Sequence, residues 1–357
     1  MERLLLPGAA AFGIASVLLQ GQMLVGLGMA AVALSAFWLL TKSRLSAALI
    51  TGYASAAAAW YLLNAVDTAA ANSARFWCQV VAAWFLAWAC VEQFAAVKTL
   101  NRFYHFTLGI IIPLLFGVWL LILWELITRA LDVPQVLLPP PSQIAERFMS
   151  STGILWVDFK QTFLKAVLIG YAAGCLAGFV VAILIDRSPF LQRGLLPIGN
   201  LVSALPIVGV APIMVMWFGF DWPSKAAVVI VMTFFPMLVN TVAGLAAAQP
   251  MQHDLMKTYA ASYWQSLFKL RLPEAMPFIF NALKINSTLA MIGAIVAEFF
   301  GTPTVGMGFR ISTEVGRMNV DMVWAEIAVA ALAWSVFYGV IALLERRVSF
   351  WHPSVRQ

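Results

Sequence analysis

Long apolar stretches separated by short polar connections constrain this chain more than any other feature of its sequence. A helix needs about 20 apolar residues to cross a bilayer. By that measure we predict ten spans, near residues 4–20, 23–41, 45–63, 76–97, 107–131, 162–185, 196–219, 226–247, 277–300 and 325–344. The composition agrees, because 62% of the residues are hydrophobic and only 11% are charged, against about 25% charged in soluble domains. The predicted fold class is an all-α polytopic membrane protein.

The distribution of lysine and arginine predicts how these spans are oriented. An even number of spans places both termini on the same side of the membrane. With the termini in the cytoplasm, thirteen basic residues fall inside and eight outside. Cytoplasmic loops of membrane proteins carry such an excess of positive charge. We therefore expect cytoplasmic termini and contact with membrane lipid. The basic residues stand at segment ends and form no patch for nucleic acid.

The connection between the eighth and ninth predicted spans has a helical period of its own. One face of this helix is apolar at spacings of four, four and three: Tyr259, Tyr263, Leu267 and Leu270. The opposite face is polar: Lys257, Gln265 and Lys269. The pair Leu272-Pro273 is expected to end the helix, because proline cannot continue one. Such a helix indicates a surface that contacts another molecule, and the alternative is a helix that only lies at the membrane interface.

The seventh predicted span contains three residues that interrupt regular helix: Pro206, Gly209 and Pro212. Broken helix at membrane depth is tolerated only where it is buried in protein or lines a cavity, so the interruption indicates a pathway. Met216, Asn240 and Glu298 complete the candidates for the pathway or its gate. For Asn240 the alternative is a bond between helices. For Glu298 the alternative is a structural hydrogen bond to the Gly-rich loop that follows it.

The sequence contains none of the patterns that would indicate nucleotide hydrolysis or metal binding. It has no GxxxxGK[ST] phosphate loop and no HExxH. The three cysteines lie in apolar segments without metal-binding spacing and are expected to be buried small hydrophobes: Cys78, Cys90 and Cys175. We therefore predict no catalytic residue, no metal and no cofactor in this chain.

Four further motifs occur in order along the chain: LPPPSQI at 138–144, ALPIVGVAPIMVMWFG at 204–219, FFPMLVNT at 234–241 and AEFFGTPTVGMG at 297–308. With them, the chain from about Phe106 to His352 resembles the inner-membrane permease subunits of binding-protein-dependent ABC importers. The most similar branch handles nitrate, sulfonates, taurine, and pyrimidine or riboflavin-like compounds. The resemblance implies that the last six spans form a type I importer core.

The connection between the eighth and ninth predicted spans matches the cytoplasmic loop of that family, whose usual form is Glu-Ala-Ala, three residues, Gly, nine residues, Ile-x-Leu-Pro. Residues 270–273 stand at the end of this pattern, Ala260 at its glycine, and residues 254–256 at Glu-Ala-Ala, with Asp254 keeping the carboxylate. The resemblance implies an ATPase-coupling loop at 252–276. Its candidate contact residues are Asp254, Lys257, Tyr259, Ala260, Tyr263, Leu267, Leu270, Leu272 and Pro273.

The resemblance also implies the assembly around the chain. It predicts a permease domain over residues 106–352, preceded by a four-helix extension, residues 1–105, of unknown role. The implied partners are an ATP-binding ABC subunit that hydrolyses ATP, a periplasmic or extracellular solute-binding protein, and a second permease subunit, expected to be another copy, in a bacterial inner membrane. The segment 301–326 is most similar to the pyrimidine and riboflavin branch, so we expect a small heteroaromatic or anionic solute. The alternative is a secondary transporter, or a membrane enzyme, that works without an ATPase.

Overall fold

The computed structural model describes residues 2–18, 23–39, 44–66, 73–97, 102–203, 206–301 and 304–351. Every regular element within those ranges is helical, which confirms the predicted all-α class. The chain forms two compact units, residues 1–145 and 146–357. A short helix, α6 (Pro141–Ser150), contains the point where the chain passes from the first unit to the second.

In the first unit the described residues form α1 (Glu2–Leu18), α2 (Met23–Leu39), α3 (Arg44–Ala65), α4 (Ala74–Ala95) and α5 (Arg102–Ala130). Helix α4 packs against both α1 and α3. Its Leu86 is fully buried, as are Leu6 of α1 and Leu62 of α3. A buried polar bond joins α3 to α4, because the Thr51 hydroxyl donates to Gln93 Oε1 at 3.1 Å. This unit therefore has an apolar core of its own.

Two continuous helices of 36 residues organise the second unit. The first consists of α7 (Thr152–Phe159), a π-helical stretch (Lys160–Val167) and α8 (Leu168–Arg187). The second consists of α13 (Tyr263–Ser266), a π-helical stretch (Leu267–Arg271) and α14 (Leu272–Glu298). The other helices are α9 (Pro189–Ser203), α10 (Ile207–Phe218), α11 (Trp222–Leu245), α12 (Pro250–Thr258), α15 (Met307–Gly316) and α16 (Val320–Val348).

The core of the second unit consists of α8, α11 and α14. Glycines recur every fourth residue on α8, at Gly170, Gly174 and Gly178, and at each of them an added Cβ would lie under 3.0 Å from an atom of α11. Small residues of this kind let helix backbones approach closely inside a membrane. The Asn286 side-chain amide of α14 donates to the carbonyl of Thr233 on α11 at 2.8 Å and to Cys175 Sγ on α8 at 3.2 Å. Close packing and polar bonds therefore fix these three helices together.

Seven helices in the described part of the chain are long and apolar enough to cross a bilayer, so the predicted count of ten is not confirmed. Part of the difference lies at 196–219, which was predicted as one span. Helix α9 is described to Ser203, Pro206 has an extended backbone conformation, and α10 alone has only 12 residues. The interruption at Pro206 is thus confirmed, since proline lacks the N–H that would continue the helix. Pro212 and Gly209 lie inside α10 and do not interrupt it.

Candidate functional site

The segment between α11 and α14, residues 246–271, contains most of the predicted ATPase-coupling loop, and we call it the connecting segment. Its first helix is α12, which begins at Pro250, where the missing N–H of proline costs no helical hydrogen bond. The Gln252 side chain accepts from the Gln249 N–H at 2.9 Å and closes the helix start. Helix α12 ends after 9 residues, at Thr258. The connecting segment therefore contains a short, capped helix and not an open loop.

A turn separates α12 from α13. Ala260 adopts a left-handed conformation with φ of +50°. Its N–H donates to the Lys257 carbonyl at 2.8 Å, and the Ala261 N–H donates to the Met256 carbonyl at 3.0 Å. These two bonds are those of a Schellman motif, which terminates a helix. The prediction of one helix that carries both Tyr259 and Leu270 on a single face is therefore wrong, because this turn ends α12 before α13 begins.

The helix that follows the turn begins at Tyr263 and does not stop at Pro273, so the predicted end of the unit at Leu272-Pro273 is also wrong. Ser262 and Gln265 form a reciprocal cap at its start. The π-helical turn absorbs the proline: the Leu272 N–H donates to Leu267, five residues back. This registry accommodates the N–H that Pro273 lacks. The connecting segment is thereby continuous with α14.

The turn also divides the apolar face that the sequence predicted. Leu267 is 0% exposed and packs with Leu245, Ala275 and Ile279 in the core of the second unit. Tyr263 and Leu272 are half-buried against the same core. Tyr259 belongs to the end of α12 and is 77% exposed. Tyr263 and Leu267 therefore pack inside the chain, which corrects the predicted single face.

A different apolar surface lies on α12. Met251, Leu255 and Tyr259 occur at spacings of four, which puts them on one side of the helix, and they are 79%, 56% and 77% exposed. We call these three residues the α12 stripe. Beside it, Lys257 and Asp254 form an exposed ion pair at 3.1 Å. The sequence reasoning missed Met251, although its spacing of eight from Tyr259 was visible.

A cluster of polar side chains ties the connecting segment to the core helices. Arg271 donates through Nη1 to Asp186 Oδ2 at 2.8 Å and through Nη2 to Asp186 Oδ1. Its Nε donates to the Leu245 carbonyl at 3.0 Å. The Tyr263 hydroxyl donates to Asp186 Oδ2 at 2.8 Å. Arg187 lies over the ring of Tyr263, 5.7 Å from its centre. None of these partners was predicted, because residues 186 and 271 are far apart in sequence.

The pathway candidates do not form a single cluster. Pro206 precedes α10, and Met216 is 83% exposed on the same helix. Asn240 lies on α11, where its side-chain amide donates to the Pro236 carbonyl at 2.8 Å and its Oδ1 accepts from Asn281 of α14 at 3.5 Å. This arrangement agrees with the alternative in which Asn240 holds two helices together. Lys284 of α14 is likewise paired, with Glu345 of α16 at 2.8 Å.

Glu298, at the end of α14, holds the Gly-rich loop that leads into α15. One carboxylate oxygen accepts from the Gly308 N–H at 2.7 Å, and both accept from the Thr162 hydroxyl at 2.8 and 3.0 Å. Gly306 has φ of +131°, and a Cβ there would lie 2.6 Å from Glu298 Oε1, so glycine is required. The expected structural hydrogen bond from the Gly-rich loop to Glu298 is confirmed.

Asp158 anchors the same loop from the first long helix. Its carboxylate accepts from the Gly306 N–H at 2.6 Å and from Arg310 Nε at 2.8 Å. The start of α15 thus faces two carboxylates, which the partial positive charge of a helix N-terminus favours. Together Asp158, Thr162 and Glu298 connect both long helices to α15 at the end of the unit remote from the connecting segment.

Asp221 caps the start of α11 outside the membrane-spanning helices. Its carboxylate accepts from the Trp222 N–H at 2.7 Å and from the Gln161 side chain at 2.7 Å. These bonds, the one from the Trp222 N–H foremost, hold the pKa of Asp221 below its usual 3.8. Asp221 is therefore ionised at neutral pH.

Comparison with known proteins identifies the fold that carries this geometry. Residues 170–350 match the model of the binding-protein-dependent transport system inner membrane component. The formylaminopyrimidine transport permease protein ThiX of Halalkalibacterium halodurans is 30% identical over 68% of this chain and 96% of its own length. The riboflavin transport system permease protein RibX of Chloroflexus aurantiacus is 30% identical over 72% of this chain and 95% of its own. The chain belongs to this family.

The permease family also includes relatives that are named for other solutes. The taurine transport system permease protein TauC of Escherichia coli is 29% identical over 67% of this chain and 89% of its own length. The chain is thus an inner-membrane permease of the ABC importer type, as the resemblance implied, and the alternative of a secondary transporter is not favoured. The relatives differ in their named solutes, so the family alone does not select one.

The structure explains one departure of this permease from the family pattern. Ala260 stands where the usual loop has glycine, and it is the left-handed residue of the turn after α12. Glycine adopts that conformation without the steric cost of a Cβ, whereas an L-residue pays about 1–2 kcal/mol. The turn nevertheless forms with alanine, because both hydrogen bonds of the Schellman motif are present. In this chain, the position at which the pattern has glycine is therefore the left-handed residue that ends α12.

Proposed function

We propose that this permease is the membrane subunit of an ATP-driven importer in a bacterial inner membrane. A separate ABC subunit hydrolyses the ATP, and an external binding protein delivers the solute. Two permease subunits, copies of one chain, form the pathway. Both termini and the connecting segment lie in the cytoplasm. The family membership supports this arrangement, and the basic residues support the orientation.

The observation that carries the proposal is the α12 stripe. Three large apolar side chains are exposed on a helix of 9 residues that is capped at both ends. Amphipathic helices that present anchors at such spacings bind in grooves of partner proteins. A rigid helix also loses little conformational freedom on binding, which preserves affinity. We assign the groove to the ATPase, with Asp254 and Lys257 at the rim of the contact and Ala260 shaping its end.

The second long helix provides a way for movement at the ATPase to reach the pathway. The helix from Tyr263 to Glu298 has 36 residues, and at 1.5 Å per residue it extends about 54 Å, more than the thickness of a bilayer. Its first end belongs to the connecting segment, and its last residue holds the Gly-rich loop. A displacement of α12 by the ATPase would therefore tilt a rigid element that reaches the opposite surface, as rigid-body alternation requires.

The pathway is proposed to pass along α10 and the neighbouring faces of α11 and α14. Pro206 and Pro212 shape α10, Met216 is exposed on it, and Asn240 and Glu298 lie on the helices that support it. We expect a pyrimidine, riboflavin-like or other small heteroaromatic or anionic solute, because ThiX and RibX carry such names. Residues 1–105 are proposed to be an extension outside the pathway, with the permease domain covering 106–352.

Substitution in the α12 stripe tests this function. Leu255→Asp should lower the amount of ABC ATPase that co-purifies with the permease by about tenfold, because a buried leucine is worth about 1.5–3 kcal/mol and 1.4 kcal/mol is a factor of ten. Val315→Asp is the control, since Val315 on α15 is equally exposed, at 56%, and lies beyond the far end of α14. Equal retention of the ATPase by both variants would refute the assignment of the stripe.

A further inference from the structure

A polar cluster bonds the connecting segment to the ends of two core helices. It consists of Asp186, Tyr263, Arg271 and the Leu245 carbonyl, and we call it the Asp186 joint. Asp186 lies at the end of α8, and Leu245 at the end of α11. Arg271 lies where the connecting segment passes into α14. One arginine therefore bonds to the ends of two core helices while it belongs to a third.

The joint is shielded from water, unlike the other ion pair of the connecting segment. The side chains of Arg271 and Asp186 are 16% and 12% exposed, whereas those of Lys257 and Asp254 are 78% and 72% exposed. Bidentate arginine–carboxylate pairs fix orientation as well as distance, and exposed pairs contribute little. Asp186 also accepts from the Tyr263 hydroxyl. Asp186 therefore bonds the end of α8 to two residues of the connecting segment.

Covalent continuity alone would not couple the segment to all three core helices. Within the connecting segment, α12 follows the linker residues 246–249, and α13 passes into α14 through a π-helical turn, where backbone hydrogen bonds are altered. Neither end of the segment is adjacent in sequence to α8. Tyr263 and Leu267 pack in the apolar core that includes Cys175 of α8. Asp186 adds directional bonds to α8 through Arg271 and Tyr263, and the stacking of Arg187 on Tyr263 and Trp264 reinforces them.

We infer that Asp186 is a positioning residue that transmits movement of α12 to the end of α8, and through it to the packed unit of α8, α11 and α14, when the ATPase closes. This inference rests on the proposed function. It separates two roles within the connecting segment: the α12 stripe binds the ATPase, and the Asp186 joint passes on the displacement. Loss of the joint should therefore uncouple the pathway without releasing the ATPase.

The test compares Asp186→Ala, which removes the carboxylate that accepts from Arg271 and Tyr263, with the conservative Asp186→Glu. The control is Glu345→Gln, which breaks the Lys284–Glu345 pair, a bond of similar burial between α14 and α16 that does not touch the connecting segment. Each variant carries Met216→Cys on α10 as a reporter, with Cys78 replaced by serine, because Cys90 and Cys175 are buried. Two quantities are measured: co-purified ABC ATPase, and the change in maleimide labelling at position 216 on addition of ATP and vanadate.

Asp186→Ala should bind the ATPase as the parent protein does, while its vanadate-dependent change in labelling falls about fivefold, the lower range for coupling between sites. Asp186→Glu should restore most of that change, and Glu345→Gln should leave it as in the parent. An unchanged response in Asp186→Ala would overturn the inference, and so would loss of the ATPase, because the joint would then support docking. If Asp186→Ala fails to fold, Tyr263→Phe replaces it, because this variant removes only the bond from the Tyr263 hydroxyl to Asp186. Its vanadate-dependent change in labelling should fall by less than fivefold. An unchanged response in Tyr263→Phe would then overturn the inference.

Failure of the inference and failure of the proposed function give different results. If no ABC ATPase binds even the parent protein, the proposed function is wrong. If the parent binds the ATPase but labelling at position 216 does not respond to ATP and vanadate, there is no movement to transmit. The inference about the Asp186 joint is then wrong, although the ATPase docks as proposed. If the parent responds and Asp186→Ala responds equally, only the joint is wrong.

Discussion

The packing of α8 on α11 predicts a large effect from a single methyl group at Gly174. A Cβ at this position would lie 2.1 Å from Thr233 Oγ1, 2.8 Å from the Ile230 carbonyl oxygen and 3.0 Å from Ile230 Cα. Two of these atoms are backbone, so the helices must move apart to admit the methyl. Overpacking of this kind costs about 1–3 kcal/mol. Gly174→Ala should therefore destabilise the permease by that amount relative to an alanine substitution at an uncrowded glycine in a helix.

The matched control for Gly174→Ala is Gly339→Ala on α16, where no neighbour lies within 4 Å of the added Cβ. Alanine is favoured over glycine in a helix by about 1 kcal/mol, and both variants share this gain. The two variants should therefore differ by the cost of overpacking, about 1–3 kcal/mol in their free energies of unfolding. Equilibrium unfolding in mixed micelles measures this difference. Equal stability of the two variants would refute the close approach of α8 and α11.

A second substitution tests which atom causes the clash. Thr233→Ala removes the hydroxyl nearest to Gly174, so the double variant should recover part of the loss, about 1 kcal/mol relative to additivity. No such recovery is available at Gly178, because the nearest atom there is the carbonyl oxygen of Phe234 at 2.5 Å. Strict additivity in the Gly174–Thr233 pair would show that the helices separate as a whole, and would contradict this account of the contact.

Two further predictions concern the ends of helices. Ala260→Gly should stabilise the permease by about 0.5–1 kcal/mol, as measured by thermal unfolding. Glycine removes the steric strain of the left-handed conformation, and the greater entropy of the unfolded glycine chain cancels only part of that gain. Destabilisation would show that the turn does not require φ of +50°. Asp221→Asn should weaken the loss of folding stability at acid pH. The pKa of Asp221 is lowered in the folded state, so its carboxylate stabilises the fold above pH about 4, and that contribution is lost as the pH falls further. Identical stability profiles at acid pH for Asp221→Asn and the parent would contradict the role of Asp221 as a cap.

Much of this fold could be predicted from local features of the sequence. Apolar length identified most helices of the second unit, since a membrane span needs little besides apolar residues. Pro206 marked the interruption before α10, and the glycines near 301–308 indicated the loop that Glu298 holds. In each case the cause is a property of the residue itself: a missing N–H, a missing Cβ or a carboxylate that needs donors.

The faces of the connecting segment could not be predicted, because they depend on one backbone angle. A helical period assigns Tyr259 and Leu267 to the same side only if the helix continues between them. The left-handed Ala260 breaks that phase, so Leu267 enters the core and Tyr259 stays exposed. Pro273 misled the prediction in the opposite direction, because a π-helical turn compensates for its missing N–H.

Long-range partners were the second source of error. Asp186 and Arg271 belong to different helices, and neither carries a local signal that it forms an ion pair. Lys284 and Glu345 likewise form a pair between two helices without a local signal for it. Charged groups at membrane depth are costly unless paired, so each of these cations predicts that a partner exists. The packing of the helices decides which carboxylate it is.

We expect this permease to work only with a separate ATPase, and reconstitution measures that dependence. Proteoliposomes would contain the permease with and without an ABC ATPase from the same genome, together with the matching binding protein. Uptake of riboflavin, formylaminopyrimidine and taurine would be measured with ATP, and with an ion gradient alone. Uptake of at least one of these solutes should require both ATP and the ATPase. Uptake driven by the ion gradient in the absence of the ATPase would show that the permease is not the subunit of an ATP-driven importer.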